Sequence, residues 1–260
     1  MAYIAPEEEK NSTESSGTKE GNVLAGFVLY ENANINWDKF FESLKEDWGI
    51  VPDEEVKNNS VVFKVDDMAV ACSLVANPIP DQEAERAAKY NILWKDGAEE
   101  TAKHKAHIML AVMNKFEARA QATLFAKVAY SLLKLDGAIG IYKDPTVYEK
   151  QFYINFAETI KKGECPMPIY IYVGLYLSKT GLCAFTAGMR YFGWEEIEII
   201  NSTKEPDEVI SFILSIAEYV VTEEVELKDG ETIGFSEEQK LPITVSDGVS
   251  VTGRSVKIKF

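Results

Sequence analysis

Apolar and polar positions change period several times along the chain, and the order of those changes predicts its elements. The run "LAGFVLYE" from Leu24 is apolar almost throughout, as a strand buried on both faces requires. "NWDKFFESLKEDWG" then places Trp37, Phe40, Phe41, Leu44 and Trp48 at helical spacing, with Gly49 positioned to end the helix. "SVVFKV" and "MAVACSLV" flank the turn-forming pair Asp66-Asp67 and predict a β-hairpin. Pro78 and Pro80 break the pattern, and Asp81 is placed to cap a helix through "QEAERAAKYNILW". A second helical stretch, "AEETAKHK", follows, and "AHIMLAVM" again reads as a buried strand. The order βαββαβ is that of the split-βαβ, or ferredoxin-like, arrangement.

A long helix is expected over about 117–135, after which the order restarts. "GFVLYENANINWDKFFESLKEDWG" and "AIGIYKDPTVYEKQFYINFAETIKKG" share a strand ending in Tyr, a polar break and an amphipathic helix closed by Gly. The second copy continues through "PIYIYVGLYLS", "LCAFTAGM", an extra strand "EIEIIN" and the helix "PDEVISFILSIAEYVV". These signals predict an α+β fold with mixed sheets and packed helices, made of two related split-βαβ (ferredoxin-like) halves. Residues 23–260 are expected to form one unit, with halves at about 23–115 and 138–260 joined by the 117–135 helix. The Glu-, Ser-, Thr- and Gly-rich stretch at 1–22 predicts a disordered tail.

Near the C-terminus, Asp229-Gly230 lies between "VEL" and "TIGF", and Asp247-Gly248 between "ITV" and "VSV". Both pairs signal tight hairpins. Ser236 and Gln239 have the spacing of a capping box. The ending "DGETIGFSEEQKLPITVSDGVSVTGRSVKIKF", together with "FVLYE", "HKAHIMLAV", "GIYKDPTVYE" and "VGLYLSKTGLCAFTAGM", resembles an uncharacterised bacterial family, domain of unknown function 4261. That resemblance covers nearly everything after the tail and is most specific in the final block. It implies a single bacterial soluble unit and assigns no active-site residue.

Composition narrows the function classes. Of the 260 residues, 46% are apolar, enough for a sizeable core without disulfide staples. With 42 acidic against 27 basic residues, the formal charge of −15 opposes nucleic acid and anionic membrane surfaces and favours a partner with a basic surface. Cys72, Cys165 and Cys183 are odd in number and widely spaced, which argues against a disulfide framework and fits the cytoplasm. No nucleotide-binding glycine motif is present, and no cofactor is expected.

The candidate chemical groups are few. His104 and His107 are the only histidines, and their spacing lacks the further ligands a metal site needs, so no metal is expected. Glu223, Glu224, Glu226, Asp229, Glu231, Glu237 and Glu238 form an acidic run opposed only by Lys228. Alternation in "IYIYVGLYL" places Ile169, Ile171, Val173, Leu175 and Leu177 on an aliphatic face, with Tyr170, Tyr172 and Tyr176 on the other. A tyrosine row suits either packing under a helix, the arrangement a layered α+β fold favours, or an open contact surface; on the second reading Tyr170, Tyr172, Tyr176, Glu223 and Glu224 are the candidate binding residues. The expectation is a non-enzymatic bacterial interaction protein that binds or neutralises a basic protein partner. The alternative is a small hydrolase or metal-dependent enzyme using His104 or His107.

Overall fold

A computed structural model describes residues 22–114, 117–236 and 238–260. The tail expected over 1–22 lies outside the described residues, except for Asn22, which opens the first strand. The chain divides into two compact units, one ending at Ile169 and the other running from Tyr170 to Phe260.

The first unit contains β1 (Asn22–Tyr30), α1 (Trp37–Trp48), β2 (Ser60–Val65), β3 (Met68–Val75), α2 (Glu83–Ala88), α3 (Gly97–Thr101), β4 (Ala106–Asn114), α4 (Ala118–Leu133), β5 (Ala138–Lys143), β6 (Thr146–Glu149) and α5 (Lys150–Glu158). Local chemistry sets several boundaries. Asn36 caps α1 by accepting from Lys39 N at 3.0 Å, and Gly49 ends it in the left-handed region at φ 67°. The strands form one antiparallel sheet in the order β2-β3-β4-β1-β5-β6. The apolar side of α4 lies against β4, β1 and β5 and buries Leu124, Phe125, Val128 and Leu132. The phenol of Tyr30 donates to the Leu132 carbonyl at 2.7 Å, so this fully buried hydroxyl is satisfied.

A four-residue helix, α6 (Met167–Tyr170), precedes β7 (Tyr172–Leu177), β8 (Leu182–Ala187), β9 (Glu196–Ser202), α7 (Pro206–Glu223), β10 (Thr232–Ile233), β11 (Leu241–Asp247) and β12 (Arg254–Ile258). The second sheet has the order β10-β11-β12-β9-β8-β7, and its β12–β9 pair is parallel. Pro206 starts α7 where a missing amide hydrogen does no harm, and Glu208 accepts from Glu205 N at 3.3 Å. The helix lays Phe212, Ile213, Ile216 and Val220 over the sheet, whose face toward it includes Ile197, Ile199, Val256 and Ile258.

The α+β class is as expected, but the arrangement of strands differs. A ferredoxin-like unit has its first strand between the third and fourth; here β4 lies between β3 and β1. The expected second half was to begin near 138, yet β5 pairs with β1, and β6 with β5, to complete the first sheet. The division therefore falls after Ile169, and α4 is a core helix of the first unit rather than a link between halves.

Both predicted C-terminal hairpins are also replaced. Asp229 accepts from Val245 N at 2.8 Å, and Gly230 N donates to Ile243 O at 3.0 Å. This turn docks side-on against β11, and residues 225–227 are not a strand. After Asp247 the chain makes a longer connection, so "VSV" lies in the loop and β11 pairs with "RSVKI". Half of the expected capping box forms around a turn: Gln239 N donates to Ser236 Oγ at 3.3 Å, but the Gln239 side chain accepts from Phe235 N at 2.9 Å, one residue earlier than the box requires. Among the described residues, no helix is long and apolar enough to cross a membrane.

Candidate functional site

The second unit contains a cavity of about 500 Å³ between the C-terminal end of α7, the segment after it, and strands β9, β12 and β11. Its floor is made by Ile197, Val220, Val245 and Val256, with Trp194 and Leu227 at the sides. Glu195, Glu226 and Asp229 supply carboxylates to its lining, and Lys228 and Arg254 supply cations. The volume lies within the range of about 300–1,000 Å³ common for ligand sites, and the lining combines an apolar floor with a few charged groups. Such a site can seat an aliphatic or aromatic group that carries charge at its edge.

Two buried carboxylates on β9 hold the walls. Glu196 accepts from Thr186 Oγ1 at 2.7 Å, Gly188 N at 2.9 Å, Met189 N at 3.2 Å and Arg190 N at 3.3 Å. These bonds fasten the 3₁₀ turn Met189–Phe192, which leads through Gly193 to Trp194 and Glu195. Glu198 accepts from Ser255 Oγ at 2.5 Å, Ser250 N at 2.6 Å and Val249 N at 3.0 Å, with Lys257 Nζ at 3.4 Å. Burial alone would raise the Glu198 pKa, but the Ser255 hydroxyl, the two loop amides and the Lys257 ammonium outweigh it and hold the carboxyl below its ordinary range. The guanidinium of Arg190 donates to the Thr252 carbonyl and, at 2.9 Å, to that of Arg254. The loop leading into β12 is thereby fixed from two sides.

The expected tyrosine row is divided among different environments. Tyr170 belongs to α6, is buried, and stacks on Phe192 with ring centroids 6.0 Å apart. Tyr172 is half-buried and meets Phe185 edge-on at 6.2 Å. The half-buried Tyr176 accepts from Ser250 Oγ at 2.9 Å; burial is the main reason its pKa is raised. The sheet register places Tyr172 and Tyr176 on the face of Phe185 and Glu198, opposite the face that carries Ile197 and Val256. The tyrosines do not enter the cavity. The predicted aliphatic face fails as well: β7 is an edge strand, Val173 and Leu175 are half-buried, and Leu177 is 81% exposed.

Glu223 and Glu224 are exposed at the end of α7 and do not line the cavity, whereas Glu226 and Asp229 from the same acidic run do. Glu237 lies outside the described residues. Sequence reading missed Trp194, Glu195, Val245 and Arg254, which come together only when β9, β11 and β12 assemble. The alternation of Glu with Ile in "EIEIIN" was the available signal for the paired carboxylates of β9.

The histidines lie in the first unit and act as a clasp. His104 Nε2 accepts from Ile79 N at 2.9 Å, while its Nδ1 donates to Thr101 O at 2.6 Å. His107 Nδ1 donates to Asn77 O at 2.9 Å, and burial lowers its pKa. Together they bind the Asn77–Ile79 segment to the start of β4. Among the described residues, no group of three or more His, Cys, Asp or Glu side chains is arranged to hold a metal ion.

A family model described as a domain of unknown function (DUF4261) matches residues 185–259. That span contains every residue lining the cavity and both β9 carboxylates. No curated protein and no solved structure matches the chain.

Proposed function

We propose that the chain is a non-enzymatic interaction protein of the bacterial cytoplasm whose second unit seats a basic segment of a protein partner. The observation that carries this reading is the cavity itself, which joins an apolar floor to a lining with three carboxylates in a chain of net charge −15. An aliphatic or aromatic side chain of the partner fills the floor, and adjacent Lys or Arg residues meet Glu195 and Glu226. The chain's long-range field speeds approach of a basic partner, while the buried centre supplies most of the affinity. The hydrogen bonds of His104 and His107 give those rings a folding role, which favours binding over hydrolysis.

The test uses synthetic peptides in which Trp, Phe or Leu is flanked by Lys or Arg, with Glu-flanked counterparts as controls. Trp194 lines the cavity and reports binding through its fluorescence. Basic peptides should change that emission, bind more weakly as salt rises, and lose affinity at least tenfold with Glu226→Lys. Equal binding of acidic and basic peptides, or no response from either, would reject the proposal.

A further inference from the structure

The first sheet has one well-covered face and one that is covered only in part. Val28, Tyr30, Ile108 and Leu110 belong to the buried face, against which α4 packs. On the opposite face, α2 and α3 cover the β5–β6 side, where Leu29, Tyr142 and Val147 form a buried cluster with Ala84 and Ala87. The other four strands carry three cross-strand rows on this face. The register aligns Val62, Ala71, Ala111 and Ala25 in the middle row. Met113 and Val23 stand in the row on one side, and Met109 in the row on the other. Val23 is 59% exposed, Val62 57%, Met109 47% and Met113 38%. Large apolar side chains gathered on an open sheet face mark a contact surface rather than the scattered exposure of ordinary surfaces.

We propose that this face is the contact surface of a homodimer, in which a second copy of the chain packs the same four strands against it about a two-fold axis. Charge selects the occupant. The three rows of four positions carry one ionic side chain, Lys64, although the chain has 42 acidic residues. Two copies at −15 each repel, and they can approach most closely through a surface without carboxylates. A basic partner finds no counter-charge there; the acidic lining of the cavity in the second unit is the place that suits it.

Shape and size agree with a reversible dimer. Over β4 and β1, Ala111 and Ala25 form a shallow trough between Met109 and Phe27 on one side and Met113 and Val23 on the other, while the β2–β3 side carries Ser60, Ser73, Lys64 and Ala69; Met109 and Met113 of one copy can settle into the trough of the other. Four strands about 4.8 Å apart and five residues of about 3.4 Å rise give a footprint of roughly 19 by 17 Å. The total remains below the roughly 800 Å² per partner of a standard interface, in the size class of weak and transient contacts.

Sedimentation velocity on the full chain from about 1 to 200 µM tests the proposal. A shift from monomer to dimer mass is expected, and it should strengthen severalfold with added salt as repulsion between the acidic copies is screened. Val62→Glu and Met109→Glu place carboxylates on exposed positions of the face and should weaken the dimer at least a hundredfold with little change in melting temperature. Radical footprinting of the unaltered protein gives an independent readout: Met109 and Met113 should oxidise readily when dilute and be protected when concentrated. A monomer throughout the range, a dimer indifferent to both substitutions, a dimer weakened by salt, or equal oxidation at both concentrations would each overturn the assignment.

Discussion

Replacing Glu198 with Ala should make the second unit unfold much more readily. The side chain is fully buried, and its removal strands two backbone amides and the Ser255 hydroxyl beneath the loop and takes the counter-charge from Lys257, whose ammonium keeps the Asp247 carbonyl and the Ser246 hydroxyl. Breaking a buried charged pair from one side costs about 3–5 kcal/mol. A domain of this size has only about 5–15 kcal/mol in total, and each kcal/mol lowers its melting temperature by about 4–8 °C. Glu198→Gln keeps one acceptor but turns an NH₂ group toward donors, so about 2 kcal/mol is expected. Urea unfolding by circular dichroism, with hydrogen exchange of peptides spanning 241–258, measures both effects. The pH dependence supplies a second check. A folded pKa held below the ordinary 4.5 gives stability that is full above that value and is lost as pH falls through the lowered one. The Gln variant should therefore show a flatter decline below pH 5. A Glu198→Ala loss under about 1 kcal/mol would refute the idea that this carboxylate holds the loop.

Three further outcomes follow from particular contacts. Gly174→Ala would bring a Cβ to 2.3 Å from the Phe185 ring, so it should cost about 1–3 kcal/mol, and Phe185→Leu in the same chain should recover part of that loss in a double-mutant cycle. Asp47 is opposed by burial, but Lys134, Ser43 and Lys161 bring its pKa down to about 2; Asp47→Ala should lower denaturant stability by about 1–2 kcal/mol at neutral pH, with the difference fading as pH falls from 3.8 toward 2. His107 is held below its ordinary pKa of 6.5, so its contribution is full above that value and declines as pH falls below it; His107→Gln should flatten the melting-temperature profile between about pH 5 and 7.

Elements encoded by neighbouring residues were legible in the sequence. Asp66-Asp67 closes the β2–β3 hairpin in the expected place, and the apolar spacing with Gly49 defines α1. What sequence could not supply was long-range pairing. The union of β1 with β5 moves the unit boundary, and the parallel β9–β12 pair joins segments separated by α7, β10 and β11. The tyrosine row was over-read because alternation was carried back through residues 169–171. Pro166 and Pro168 instead start a helical turn, with Ile169 N donating to Pro166 O at 3.0 Å. For the site, the acidic run located Glu226 and Asp229, but the apolar floor required strands that meet only in the folded sheet.

The interior position of β9 has a consequence for synthesis. Translation delivers β7, β8, β9 and α7 before β12 exists, so one edge of β9 emerges from the ribosome with its hydrogen-bonding groups unpaired. An apolar strand in that condition is a template for joining a neighbouring nascent chain. Glu196 and Glu198 place two negative charges on the waiting strand and act as gatekeepers against that misassembly. When the loop amides and Ser255 arrive, Glu198 exchanges water for them, and a charge that kept the unfinished sheet apart becomes the latch that closes it.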